Sequence, residues 1–487
     1  MTRVLVVGLD GLDWELASRW MAELPTLAAL AARGAHGPLE SIVQPVTPPA
    51  WTSMVSGHNP GHFGFTDFTA RQPGTYARQR LVHSGMVRAD TIFELADRAG
   101  LRTIALSVPV SYPPRPRRRG VVLSCIMAPG PDKLVTQPAA LRERLLELTS
   151  GPLLFDAAST DHDVAGDRDA LIAKITRLDD QRFEIATALA GEGGWDLLFM
   201  VCPGTDRVAH YFLHHGDQRH VAHQADGRYG DAVLDHYRHC DQRLGELLDA
   251  AGPDTVVLVA SDHGVQRLDG KLNLNDWLVR MGYLKLDSEL AGPRRLDQAP
   301  VDWAATQAWA HGFGGQIFLN RRGLYPAGWL DEQAAEATVD KLTGDLAGLA
   351  RDGGEPIEVQ VLHGDDLYDG PFRRLCPDLC LQLDGLRLLT RNSVGNQRLV
   401  TAPDVAGDGD VASHTLGGFL SLSGPGVPDA GRCDGLSIYD VAPTILELLG
   451  VGGDQMEGVS LVSELAEAYS GDDQAVLSSR LQALYLD

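Results

Sequence analysis

The stretch Asp254–Gly264, DTVVLVASDHG, decides how the rest of the chain is read. Val256–Ala260 is a short, β-branched apolar run, the pattern of a strand buried on both faces. It stops abruptly at Ser261-Asp262-His263-Gly264. Two good metal ligands, adjacent in sequence, therefore stand where a buried strand gives way to a loop. In open α/β sheets, that edge is where ligands bind. Neighbouring side chains on extended backbone point to opposite faces, so Asp262 and His263 share one ion only if the chain turns there. Gly264 makes such a turn easy. Alone, SDHG reads equally well as a turn aspartate beside a surface histidine.

Other segments repeat the theme. Val4–Leu9 is an apolar run ending in Asp10-Gly11, and Leu39–Val43 reads as a second strand before the turn-rich Gln44–Gly64, which carries Thr47. Thr103–Val110 is another strand. Trp195–Val201, WDLLFMV, leads into Gly204-Thr205-Asp206. Asp206 and His210 are four apart and share one face of a helix, as a single ion requires. His414 precedes a late strand at Phe419–Leu422. Helical patterns fill the gaps at Leu24–Gly34, Thr91–Ala99, Pro138–Ser150, Arg168–Ala190, Ala232–Ala251, Leu274–Met281 and Asp440–Gly450, the last with Pro443 in its first turn. Strands alternating with helices imply an α/β three-layer sandwich around a mostly parallel central sheet. Residues 292–401 differ in character and read as an inserted cap, which splits the catalytic core into 1–291 and 402–487. The tail after Val462 reads as peripheral.

Composition narrows the function. The chain has 487 residues, enough for a large core with sizeable insertions. Its net charge of −23 argues against a nucleic-acid polymer or an anionic membrane as partner. A small phosphorylated substrate stays open, because bound metal reverses the local sign. The six cysteines are scattered and read as reduced and structural. The N-terminal apolar run is too short for a signal peptide, and no run reaches transmembrane length. A cytoplasmic protein is expected. Tyr112–Arg119, YPPRPRRR, reads first as a solvated loop and second as part of a substrate pocket. His210–His239 holds seven of the sixteen histidines. Of these, only His210 has the spacing of a ligand, His214 is a weaker substrate-contact candidate, and the others read as a solvated polar segment.

Taken together, Asp10, Thr47, Asp206, His210, Asp262, His263 and His414 are oxygen or imidazole donors beside core strands. Here the residues carry a family resemblance. VVGLDGLD (6–13), VTPPAWTSMVSGHNPGHFGFTDF (46–68), VPVSYPP (108–114), GTDRVAH (204–210), SDHG (261–264) and SHTLGGFLSLSGPGV (413–427) resemble the alkaline phosphatase superfamily. Within it they are most similar to the type I phosphodiesterase/nucleotide pyrophosphatase branch in its prokaryotic form.

The resemblance implies two divalent metal ions, usually zinc, with manganese as the alternative. Asp10, Asp262 and His263 with the Thr47 oxygen would hold one, and Asp206, His210 and His414 the other. It also implies that Thr47 is the nucleophile, forming a phospho-threonine in the hydrolysis of phosphodiester or nucleotide pyrophosphate bonds. Thr52 and Ser53 are competing hydroxyls, ranked lower because they fall inside a helix starting near Trp51. Pro48 removes the backbone N–H that relatives place just after the nucleophile, and Ala50 stands where the animal-type pyrophosphatases carry Asn. Arg88 and Arg207 are candidates for binding a third phosphoryl oxygen. A sulfatase would need Cys or Ser where Thr47 stands and Arg where Trp51 stands. A cofactor-independent phosphoglycerate mutase would need a Ser nucleophile and an early insertion. Phosphomonoesterase, phosphonate hydrolase and a non-catalytic metal-stabilised binding protein are the remaining alternatives.

Overall fold

Val4 and Val6 point to one side of the first strand, and Leu5, Val7 and Leu9 to the other; all are buried. Helices therefore cover both faces, which is why the strand reads as a continuous apolar run. The computed structural model describes residues 2–470 apart from 77–78, 131–132, 134, 150, 159–160, 162–163, 165, 225–226, 406–408 and 454. The last stretch of the tail, 471–487, lies outside the described residues; before it, Leu461–Ser470 forms a helix.

The central sheet contains β1 (Arg3–Leu9), β2 (Gly34–Glu40), β3 (Thr103–Leu106), β4 (Val121–Leu123), β5 (Thr136–Gln137), β6 (Leu197–Cys202), β7 (Thr255–Ala260) and β8 (Gly417–Ser423). Their spatial order is β2-β8-β7-β1-β6-β3-β4-β5. β7, β1, β6, β3 and β4 are mutually parallel. β8 runs antiparallel between β7 and β2. One face packs against α1 (Pro25–Ala31), α2 (Arg168–Glu192), α3 (Gly204–Gly216) and α4 (Ala232–Ala251). The other face buries Ala50, Trp51, Met54, Val441 and Ile445, from the helices Thr47–Ser56 and Val441–Leu448. This is the three-layer α/β sandwich expected.

Two of the boundaries that differ from the sequence reading have a clear physical reason. β2 begins at Gly34, five residues before the expected strand. Gly34 is there for close approach: a Cβ on it would lie 2.1 Å from the Leu422 carbonyl of β8. A glycine that admits a neighbouring strand looks, in sequence, like one that stops a helix. The helix expected near Trp51 starts at Thr47 instead. Pro48 and Pro49 occupy its first turn, where the missing N–H groups have no intrahelical partner to lose.

A second apolar cluster gathers residues from Leu272 to Leu399. It surrounds an antiparallel sheet of Ala308–His311, Gln316–Leu319, Leu379–Leu383 and Val359–His363.

Candidate metal centre

At the end of β7 the chain turns through Ser261–His263, where the Ser261 hydroxyl donates to the His263 carbonyl. It re-enters as the strand Gly264–Arg267, which pairs antiparallel with Ala412–Thr415 and sets Val265 opposite His414. Gly264 serves close packing: a Cβ there would lie 2.2 Å from Asp13 Oδ2 and 2.4 Å from the Gly417 carbonyl. The Ser41 hydroxyl bonds the Asp262 carbonyl at 2.5 Å, and the Thr205 hydroxyl bonds the Asp10 carbonyl at 2.5 Å. These contacts tie the ends of β1, β2, β7 and α3 together.

The sequence-chosen residues meet there in two triads. Asp10, Asp262 and His263 offer ligand atoms within 4.8 Å of one another, as do Asp206, His210 and His414. The triads adjoin, since the His263 and His414 rings stack with centroids 3.6 Å apart. Thr47 Oγ1 lies 3.3 Å from His263 Nε2. Thr52 is turned away, its hydroxyl donating to the Pro48 carbonyl at 2.7 Å.

Hydrogen bonding orients each imidazole. His263 Nδ1 donates to the Gly264 carbonyl at 3.1 Å, His414 Nδ1 to the Pro45 carbonyl at 2.5 Å, and His210 Nδ1 to Asp410 Oδ1 at 2.7 Å. All three Nε2 atoms are thereby aimed inward, the arrangement that outer partners impose on metal-binding histidines. Asp10 Oδ1, Asp206 Oδ1 and Asp262 Oδ2 are buried and accept no hydrogen bond from the described residues. Buried carboxylate oxygens without a donor are costly unless a cation meets them. The donor set of carboxylate oxygen and imidazole nitrogen suits zinc or a similar divalent ion.

The electrostatics agree. Burial, then the neighbouring Asp206, pushes the Asp10 carboxyl well above its usual range; burial, then Asp10, does the same to Asp262. Burial and His414 push His263 well down. Burial opposes the His210 charge, but Asp206 and Asp410 outweigh it and raise its pKa to about 10. His210 Nε2 lies 3.2 Å from Asp206 Oδ1.

Three neighbours escaped the sequence reading. The Trp51 indole donates to Asp10 Oδ2 at 3.0 Å. Asp410 receives His210 on one oxygen and lies 3.3 Å from Lys271 Nζ with the other. Asp156 holds Arg207 at 2.7 Å. In the sequence Trp51 stands only as part of the Thr47 motif, and nothing local marks Asp410 or Asp156 as more than loop carboxylates.

Arg207 lines the 190 Å³ cavity beside Thr47 and also bonds Asp206 Oδ2 at 2.9 Å, whereas Arg88 is exposed and lies outside that cavity. The Arg-rich loop does not shape this pocket. Arg115 caps the Val87 carbonyl at 2.6 Å, and Arg117 covers the Phe93 ring at 4.5 Å. The histidine-rich segment is not a solvated loop either. His214, His215, His220 and His236 are buried. The His214 ring lies tilted against that of His215, with centroids 4.0 Å apart, and His214 is not among the residues that line the Thr47 cavity. All six cysteines are free and buried.

Residues 4–401 match the type I phosphodiesterase / nucleotide pyrophosphatase family, and the chain belongs to that family. It is a hydrolytic enzyme of a family in which metal dependence is typical. Among solved structures, the chain resembles phosphonoacetate hydrolase from Sinorhizobium meliloti 1021, determined with phosphonoacetate. Identity is 16%, 92% of this chain and 95% of that one are covered, and the TM-score is 0.58. It also matches human ectonucleotide pyrophosphatase / phosphodiesterase 5, with 13% identity over 94% and 97% of the two chains and a TM-score of 0.49. The first likeness establishes the alkaline phosphatase-like fold. A comparison with curated proteins finds no match.

Proposed function

We propose that the enzyme hydrolyses phosphodiester or nucleotide pyrophosphate bonds of a small phosphorylated substrate, with Thr47 as nucleophile and two divalent ions, zinc or else manganese, bound beside it. Asp10, Asp262 and His263 with Thr47 would hold one ion, and Asp206, His210 and His414 the other. The observation that carries this is Thr47 Oγ1 standing 3.3 Å from His263 Nε2, beside buried carboxylate oxygens that accept no hydrogen bond from the described residues.

Bound divalent ions supply the positive charge that stabilises a threonine alkoxide and the phosphoryl oxygens at neutral pH. The chain's own residues do the rest. The first turn of the helix Thr47–Ser56 fixes the nucleophile at the cavity wall, and the Trp51 indole holds Asp10 in place. Thr47 Oγ attacks phosphorus in line, the first alcohol or phosphate leaves, and water releases the phospho-threonine. With no N–H at Pro48 to meet a phosphoryl oxygen, that role falls to Arg207, which lines the cavity and is held by Asp156 and Asp206. Residues 292–401 act as the cap of a core made of 1–291 and 402–487, because Phe313, Gly314, Leu386 and Leu389 line the Thr47 cavity. The six free, buried cysteines suit the cytoplasm.

The rates on bis(p-nitrophenyl) phosphate and p-nitrophenyl phosphate test the assignment. Faster diester hydrolysis is expected; clear preference for the monoester would assign a phosphatase instead. Cleavage of phosphonoacetate in preference to both would assign a phosphonate hydrolase.

A further inference from the structure

The Thr47 cavity does not end at the metal triads. Phe68, Phe313 and Leu389 line it and also line a second, larger cavity of about 410 Å³. The second cavity is lined by Asp67, Arg71 and Tyr76 and by Trp303, Trp309 and Arg391. One wall is aromatic: Tyr76 lies flat on Trp303 with centroids 3.9 Å apart, and Trp309 meets Trp303 edge-on at 5.3 Å. Phe313, 52% exposed, stands where the two cavities join.

The charge of this lining opposes that of the chain. A protein of net charge −23 here presents Arg71, Lys271, Arg295 and Arg391 against only Asp67 and Asp297. Most of these charges are already engaged. Arg295 pairs with Asp297 at 2.9 Å, and Lys271 lies 3.3 Å from Asp410. Arg71 lies over the Phe318 ring at 3.5 Å and donates to the Leu375 carbonyl at 2.8 Å. His311 is kept neutral, its pKa lowered to about 4 by burial and then by Arg71. Arg391 differs: among the described residues its guanidinium makes no side-chain hydrogen bond and meets no carboxylate, and its Nε, like that of Arg71, is buried without a partner. A guanidinium left without an acceptor in a cationic cavity is set up for an incoming anion, and its fork suits a phosphate or a carboxylate.

We propose that this cavity is a second subsite and that the natural substrate carries, on one arm of the scissile phosphoryl group, a further anionic group received by Arg391. The proposal rests on the reading of Thr47 as the reacting centre. Phosphate and carboxylate share the required chemistry, and the experiment separates them.

Three diesters are compared: p-nitrophenyl propyl phosphate, and the same ester with a terminal phosphate or a terminal carboxylate on the propyl arm. The wild-type kcat/KM should favour an anionic arm by ~10-fold or more, the effect of one charge-assisted hydrogen bond. The arm that gains most names the anion. R391A should bring the ratio to within about twofold of one, and R391K should keep part of it. Binding gives the independent readout. Propane-1,3-bisphosphonate should bind T47A, which lacks the nucleophile, more tightly than propylphosphonate does, by ~10-fold, and R391A/T47A should lose that difference. A wild-type ratio near one, or an undiminished ratio in a folded R391A, overturns the subsite. Absence of all diester turnover with the binding difference intact overturns the Thr47 reading and leaves the subsite standing.

Discussion

His263 Nε2 stands 3.3 Å from Thr47 Oγ1, although 216 positions of sequence separate the two residues. The contact joins the end of β7 to the first residue of the helix Thr47–Ser56, which cover and flank the same edge of the sheet. Through the stacked ring of His414, it also joins the two ligand triads.

Chelation should abolish turnover, and zinc or manganese should restore it. D262N and H414A, one change in each triad, should each reduce bound metal by about one equivalent, since each removes one of the three carboxylate or imidazole donors of its triad. Metal analysis after desalting checks this. Both variants retaining the wild-type metal content would remove the triads as ligand sets.

Asp410 Oδ1 accepts from His210 Nδ1 at 2.7 Å. D410N should weaken metal binding at the Asp206 triad by roughly 10- to 100-fold, the usual effect of losing an outer partner of a ligating histidine. The Asp10 triad should keep its affinity. Competition with a chromophoric chelator reads both sites in one titration, and uniform weakening of the two would mark Asp410 as merely structural.

Much of this was legible before any coordinates. Apolar runs ending in Asp10, Asp206 and Asp262-His263 mark strand ends, because a strand buried on both faces admits polar residues only where it leaves the core. His210 follows from its helical spacing to Asp206. Asp410, Trp51 and Asp156 were not legible as partners of the site, because their contacts with His210, Asp10 and Arg207 depend on how distant segments pack. The same limit hid His214, His215, His220 and His236 in the interior. A histidine run looks solvated in sequence, yet α3 and α4 bury it, with His236 bonded to Asp179 at 3.0 Å. Gly34 and Gly264 were visible as glycines, but the close approach of β8 and of Asp13 that requires them was not.

Asp67 gives the stability curve a local pH dependence. Burial raises its carboxyl to about 6, against the pull of bonds from the Phe68 and Phe313 amides. A carboxyl whose folded pKa is raised contributes stability below pH ~4 and loses it as pH climbs through ~6. Two units correspond to roughly 3 kcal/mol at most. Relative to D67N, which does not titrate, the wild type should lose a few degrees of melting temperature between pH 4 and pH 7. A wild-type–variant gap that stays constant over that range would falsify the assignment.

The central claim is that Thr47 supplies the attacking oxygen within an intact metal centre. The direct measurement is turnover of bis(p-nitrophenyl) phosphate by T47A, with metal content determined on the same sample. The account predicts metal content near that of the wild type and a rate lowered by on the order of 10³-fold or more, with T47S keeping measurable activity. A T47A enzyme that keeps its metal and still turns over within about tenfold of the wild type would contradict it.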